Sequence, residues 1–239
     1  MKRSAALAAR STIGAKGVMA VTGVILLLFV IGHLIGNLQV FAGREKLNAY
    51  AAFLQGLGPV LWVIRLVLLA SLVLHVWAAV IVTRRSRAAR PVAYAVKVDR
   101  VTSYAARTMI WSGVLVLAFV VYHLMHFTVG VYDPGAAFGA QDAAGRHDVY
   151  GMVIAGFRHV PTTIVYVIAQ VILCLHVQHG ASSLLQTLGL RSRDCAKCAD
   201  RVGPALAALI LIGNLSMPLA IVTGLIGDAP AAQPVLLGE

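Results

Sequence analysis

The sequence predicts an all-α membrane protein, a bundle of five transmembrane helices. Three observations predict it: five long apolar runs, a one-sided distribution of basic residues, and histidines set at matched depths inside four of the runs. Of 239 residues, 59% are hydrophobic and only 12% charged, with a mean hydropathy of +0.84. That is too apolar for a water-soluble domain. The runs cover about 18–41, 60–83, 108–131, 161–188 and 204–226. Each has the roughly 20 residues that a helix needs to cross a hydrocarbon core about 30 Å thick. They are too long for barrel strands, so helices are the backbone solution in lipid. The chain reads as one membrane domain, 1–239, whose connections are too short to fold alone. The basic start MKRSAALAARST resembles a signal peptide, but Arg10 and Lys16 interrupt it, so the first span is expected to stay uncleaved.

The net charge of +11 is unevenly placed. Lys2, Arg3, Arg10 and Lys16 precede span one. Arg84, Arg85, Arg87, Arg90, Lys97, Arg100 and Arg107 lie between spans two and three, with Tyr94 and Tyr104 among them. Arg191, Arg193, Lys197 and Arg201 lie between spans four and five. The opposite side carries Arg44 and Lys46, then a connection in which Asp133, Asp142 and Asp148 offset Arg146 and Arg158; the tail holds only Asp228 and Glu239. Basic loops stay in the cytoplasm, so the N-terminus is expected there. Topology accounts for the basic residues without nucleic acid, and the second basic connection also suits a cytosolic docking partner. Cys195 and Cys198 form a CxxC with no second pair, which reads as two reduced thiols rather than a zinc site. Cys174 reads as a small core residue.

Span one contains Gly23, Gly32 and Gly36, which leave room beside the helix for a flat group or a packed neighbour. It also carries His33, with Asn37 a turn later. The outer connection GREKLNAYAAFLQGLGP is expected to be partly helical, with Glu45, Asn48, Tyr50 and Gln55 toward water or head groups. Span two carries His75, and Arg65 near its outer end; Arg65 either reaches outward or pairs with a buried carboxylate such as a haem propionate. Span three carries His123 and His126. The 132–160 connection is rich in Gly, Ala and Asp, and its His147 and His159 read as water-exposed. Span four carries His176 and His179, followed by Gly180. Span five has no histidine, is interrupted by Asn214 and Pro218, and reads as a packing helix.

Counting from the flanking charges, His33 and His123 lie nearer the outer surface, and His75 and His176 nearer the cytoplasm. The two layers would be about 10 Å apart in height at about 1.5 Å per residue. A polar group at bilayer depth is costly and marks a functional site by default. Four imidazoles in two matched layers, with no intramembrane Asp or Glu beside them, suit axial ligation of two stacked b-type haems. With both axial positions filled, the task would be electron transfer. The missing acids argue against a proton-coupled transporter. A short internal repeat, Phe29-Val-Ile-Gly-His33-Leu against Phe119-Val-Val-Tyr-His123-Leu and Leu74-His75-Val against Leu175-His176-Val, favours His123 over His126 and His176 over His179.

These residues resemble the single-chain dihaem cytochrome b anchor of succinate dehydrogenases and fumarate reductases. The resemblance is carried by LFVIGHLIGN around His33, LNAYAAFLQGLGP, LHV at His75, FVVYHL at His123 and LHVQHGASSLLQTLG at His176. It covers spans one to four; span five matches in type. It implies that His33, His75, His123 and His176 are the axial ligands of two haem b, paired first span with third and second with fourth. Reading His-Gly without a gap would choose His179 instead of His176. Gly23, Gly36, Arg65, Arg107, His126, His179 and Gly180 are then candidates to line a haem or hold its propionates, and Asn48 and Gln55 to meet quinone. The resemblance further implies a flavoprotein (FAD) subunit and an iron–sulfur subunit on the cytoplasmic face, menaquinone as bound substrate, and the cytoplasmic membrane of a prokaryote. The chain departs from relatives with a glutamate near the span-four ligand, having Cys174 and Val177 there, and from those with an acid near the outer end of span two, where Gln55 is nearest. With no flavin or iron–sulfur motif of its own, the chain would catalyse only within a complex. A free-standing cytochrome b reductase and a non-haem transporter are the competing readings.

Overall fold

The structure is a computed structural model that describes residues 11–89, 104–189 and 196–227, with side chains in the last segment from 200 onward. Lys2, Arg3, Arg10, Arg90, Tyr94, Lys97, Arg100, Arg191, Arg193, Cys195, Asp228 and Glu239 lie outside the described residues, as do the side chains of Lys197 and Cys198.

Helix α1, Thr12–Asn37, starts where Ser11 accepts a hydrogen bond from the Gly14 amide at 2.9 Å. This satisfies one of the first-turn N–H groups that a helix leaves unpaired. A 3₁₀ turn over Leu38–Ala42 and Gly43, at φ 90°, redirect the chain into α2, Arg44–Gly56. Gly58 then allows the sharp turn into α3, Pro59–Ala88. Pro59 sits in the first turn, where its missing N–H costs nothing. After the single turn Tyr104–Arg107 comes α4, Met109–Leu124, which ends in a π-helical turn over Met125–Val129. Helix α5, Val149–Arg158, is capped by the Asp148 carboxylate. Helices α6, Val160–Thr187, and α7, Ala196–Val222, complete the chain.

Five helices are long and apolar enough to cross a membrane: α1, α3, α4 with its π-turn, α6 and α7 from Asp200. The chain is thus all-helical over the described residues, apart from one isolated bridge between Gln141 and His147. Trp62 and Trp111 are 62% and 72% exposed, and Leu66, Leu69, Leu209 and Ile212 also face outward. An apolar surface this continuous belongs in lipid.

Helix α6 is the hub, packed on α7, α4, α1 and α5, while α3 packs on α1. Two small contacts explain the α7 seams. Gly203 lies against the Gln178 carbonyl of α6, and Gly213 lies under Leu34 of α1, so a Cβ at either position would collide. Asn214 donates to the Gln170 side chain of α6 at 3.0 Å. Helix α7 continues through Pro218 rather than being interrupted there; the neighbouring helices hold it in place. Cys174 is buried and donates to the Ala207 carbonyl at 3.2 Å, a packing role.

The outer connections are more ordered than the sequence suggested. Asn48 is fully buried, not turned to water. It donates to Asp142 at 3.1 Å and Asp148 at 2.9 Å, and accepts from the Tyr150 amide at 2.9 Å. Arg44 pairs with Asp148, and Arg146 bridges Glu45 and Asp142. Tyr50 packs its ring onto Gly36. These polar bonds pin α2 to α5, a helix the Gly/Ala/Asp-rich composition had hidden. His147 and His159 are half-buried rather than free in water: His147 packs beside Phe138, and His159 bonds Thr162 at 2.8 Å.

Candidate functional site

The four histidines fall into two pairs. His33 of α1 and His123 of α4 face each other with ring centroids 5.7 Å apart and planes at 87°. Phe29 stacks on His33 at 5.3 Å, and Phe119 lies 5.9 Å from His123. His123 Nδ1 is 3.2 Å from the Tyr166 hydroxyl, and His126 Nδ1 is 3.1 Å from the same oxygen.

The inner pair is built differently. His75 of α3 lies against Gly23 of α1, its Nδ1 3.2 Å from Thr22 Oγ1. His176 of α6 lies against Gly113 of α4, its Nδ1 3.2 Å from Ser112 Oγ. The two imidazoles are within electrostatic range of each other. Each hydroxyl has a helical carbonyl within reach: Thr22 donates to Val18 at 2.8 Å, and Ser112 to Met109 at 3.0 Å. A hydroxyl has one proton to give. With that proton committed, each oxygen accepts from an imidazole Nδ1–H, and the tautomer leaves Nε2 with a free lone pair. A ligating histidine is held in the same way, by a hydrogen bond from its other nitrogen.

The pairing has a vertical register. Thr22 and His33 are eleven residues apart on α1, as are Ser112 and His123 on α4. The inner and outer imidazoles therefore contact these helices about 16 Å apart at about 1.5 Å per residue. This exceeds the spacing of about 10 Å counted from flanking charges, because contact register replaces loop position as the ruler.

Among the four histidine-bearing helices the closely packed pairs are α1 with α3, α4 with α6 and α1 with α6, not the α1–α4 and α3–α6 combinations that carry the histidine pairs. His33 and His123 thus meet across the bundle rather than along a close helix seam. His33, His75, His123 and His176 all keep accessible surface, whereas His126 is sealed at 2%. Among the described residues, no group of three or more His, Cys, Asp or Glu side chains could hold a metal ion alone. A haem asks less of the protein, two axial donors on opposite faces. An imidazole binds a metal at about 2 Å, so two rings sharing one iron have centroids about 6 Å apart. The 5.7 Å separation of the outer pair is close to that distance.

The remaining candidates separate. Gly23 makes room for the His75 ring and Gly36 for the Tyr50 ring, while a Cβ added at Gly180 would meet only the Met109 side chain, at 4.0 Å. Arg65 is exposed with its guanidinium 5.0 Å from the Trp62 ring centre, the outward-reaching arrangement. Arg107 is exposed over Tyr104 at 5.9 Å. His179 lines a small cavity of about 130 Å³ with Ser182, Ser183, Gln186 and Asp200, away from Ser112. Asn48, expected as a quinone contact, has its amide consumed by Asp142, Asp148 and Tyr150. Gln55 is exposed near the end of α2.

Sequence reasoning missed Thr22, Ser112, Gly113 and Tyr166. The first three carried a signal. At an offset of ninety residues, Thr22-Gly23, Phe29 and His33-Leu34 align with Ser112-Gly113, Phe119 and His123-Leu124. The repeat therefore extends a full eleven residues before the outer histidines, to the places that receive the inner ones. Outside the membrane, hydrogen bonding to Arg146 holds the Glu45 and Asp142 carboxyls below their ordinary values, and those two carboxylates hold the Arg146 guanidinium up. Comparison with family models, with curated proteins and with solved structures finds no match to this chain.

Proposed function

We propose that the chain is the dihaem cytochrome b anchor of a succinate:quinone oxidoreductase, carrying electrons between an iron–sulfur subunit and quinone. The single observation behind this reading is the arrangement of imidazoles. Four imidazoles from four spans form two layers, the hydroxyls that meet the inner one lying eleven residues before the outer histidines, and three of them, His75, His123 and His176, have Nδ1 hydrogen-bonded to a hydroxyl. His33 and His123 would hold one haem, and His75 and His176 the other. His176 is preferred to His179 because Ser112 and Gly113 receive it.

Bound haem would supply reversible one-electron chemistry at iron. The chain's own residues do the rest. Thr22 and Ser112 fix the tautomer and plane of the inner imidazoles. The apolar spans exclude water from both layers. Exposed Arg84, Arg87, Arg107 and Arg201 form a positive rim on one side, where flavoprotein and iron–sulfur subunits would dock from the cytoplasm. Of the two quinone candidates, Gln55 is exposed near the end of α2, whereas the Asn48 amide is bonded within the chain.

Purification of the tagged chain from membranes tests the reading. It predicts co-purifying flavoprotein and iron–sulfur subunits and two haem b per chain in the reduced-minus-oxidised spectrum. Two haems without those subunits would favour the free-standing reductase; no haem would end both readings.

A further inference from the structure

Resting on the dihaem reading, we infer that Tyr166 and His126 form a positioning couple that sets the electronic character of His123, and of the outer site alone. Tyr166 is 5% exposed and wedged among Phe119, Phe127 and Phe157, with ring centroids 5.1, 5.8 and 4.9 Å away. Its hydroxyl stands between two imidazole nitrogens, His123 Nδ1 at 3.2 Å and His126 Nδ1 at 3.1 Å. A phenol has one proton, so it donates to at most one of these nitrogens and at least one must donate to it; with no other acceptor for that proton among the described residues, one nitrogen donates and the other accepts.

A His123 that binds metal through Nε2 keeps its proton on Nδ1 and donates it to Tyr166. Tyr166 then donates to His126 Nδ1, and His126 carries its own proton on Nε2. This order polarises the phenol: an oxygen that gives its proton away accepts more strongly. His123 becomes the more basic ligand, which stabilises the ferric state and lowers the outer potential. The couple is rigid. His126 stacks on Phe127 at 3.8 Å, and a Cβ at Gly156 would lie 2.8 Å from His126 Nε2. The π-turn at Met125–Val129 is the local irregularity that brings His126 to the oxygen already contacted by His123. Nothing equivalent serves His33, which among the described residues makes ring contacts but no side-chain hydrogen bond.

The test is a redox titration of the purified complex, followed by visible and EPR spectra. His33→Ala identifies the outer signal by its loss. Tyr166→Phe keeps the ring and removes the hydroxyl. It should shift the outer reduction equilibrium about tenfold toward the ferrous state, or about 59 mV for one electron, with the inner signal unmoved. His126→Leu should shift the outer signal the same way but less, and His126→Asn, which keeps an acceptor near the Nδ1 position, should restore it. Two haems with unchanged potentials in Tyr166→Phe and His126→Leu would overturn the couple while leaving the dihaem reading standing. Equal shifts in both signals would also overturn it, as a general loosening of the bundle. A wild-type complex without haem would overturn the dihaem reading itself, and the couple with it. Should Tyr166→Phe fail to assemble, the two His126 variants decide.

Discussion

The inner and outer histidine layers solve one positioning problem by different means. Inside, each imidazole is received by a two-residue seat, Thr22-Gly23 or Ser112-Gly113, on a neighbouring helix. The seat is small and repeated, and the buried apolar cluster at this level, Cys174, Ala207 and Ile210, is small too. Outside, the pair sits beside a larger cluster that includes Leu34, Val40, Phe157, Tyr166 and Ile221, with the polar clamp of Asn48 above it. Small hydroxyl seats hold the inner rings; aromatic packing, joined at His123 by the Tyr166 hydroxyl, holds the outer ones. The inner layer should therefore break at single residues, and the outer layer should resist through its surroundings.

The largest expected effect separates neighbouring histidines. His176→Ala should remove the inner haem, taking content from two per chain to one, while His179→Ala keeps both; pyridine haemochrome assays on the purified complexes check this. The reverse result would move the ligand one turn along α6. Next is the seat itself. A Cβ at Gly113 would lie 3.3 Å from His176 Cε1, and at Gly23 3.4 Å from His75 Cε1. Gly113→Leu or Gly23→Leu should displace the ring and lower inner haem content by more than half, with the outer spectrum intact.

The outer clamp should yield to stability measurements instead. Asn48→Ala leaves two carboxylates and the Tyr150 amide without their shared partner, a loss of about 1–3 kcal/mol for buried polar groups left unpaired. Thermal unfolding in detergent should register it with haem stoichiometry unchanged.

A smaller effect concerns acid. Hydrogen bonding to Arg146 depresses the carboxyls of Glu45 and Asp142 from ordinary values of 4.5 and 3.8. Depressed carboxyls stabilise the fold fully above their unfolded values and lose that contribution as pH falls through the folded ones. The melting temperature should be insensitive to these groups from pH 7 to about 5 and decline below about 4. Arg146→Ala should flatten the part of that decline due to this network.

How much could be read beforehand follows the range of each interaction. Hydropathy located the five spans because lipid acts on every residue of a run. Depth and charge sorted His33, His75, His123 and His176 into layers because a helix converts residue count into height. The hydroxyl seats escaped because Thr22 meets His75 from fifty-three residues away and Ser112 meets His176 from sixty-four. No local pattern encodes such a meeting; only the ninety-residue repeat hinted at it. Asn48 was misread for the opposite reason. An amide in a polar amphipathic helix looks solvent-facing until Asp142 and Asp148, about a hundred residues on, fold over it. Tyr166 carried no signal, since one tyrosine in an apolar run is unremarkable.

The most direct test of the central claim is haem b content per chain in the purified assembly, measured beside His33→Ala and His75→Ala. The account predicts two in the wild type and one in each variant, with the two variants keeping spectroscopically different haems. One haem or none in the wild type, or two variants that keep the same haem, would contradict it.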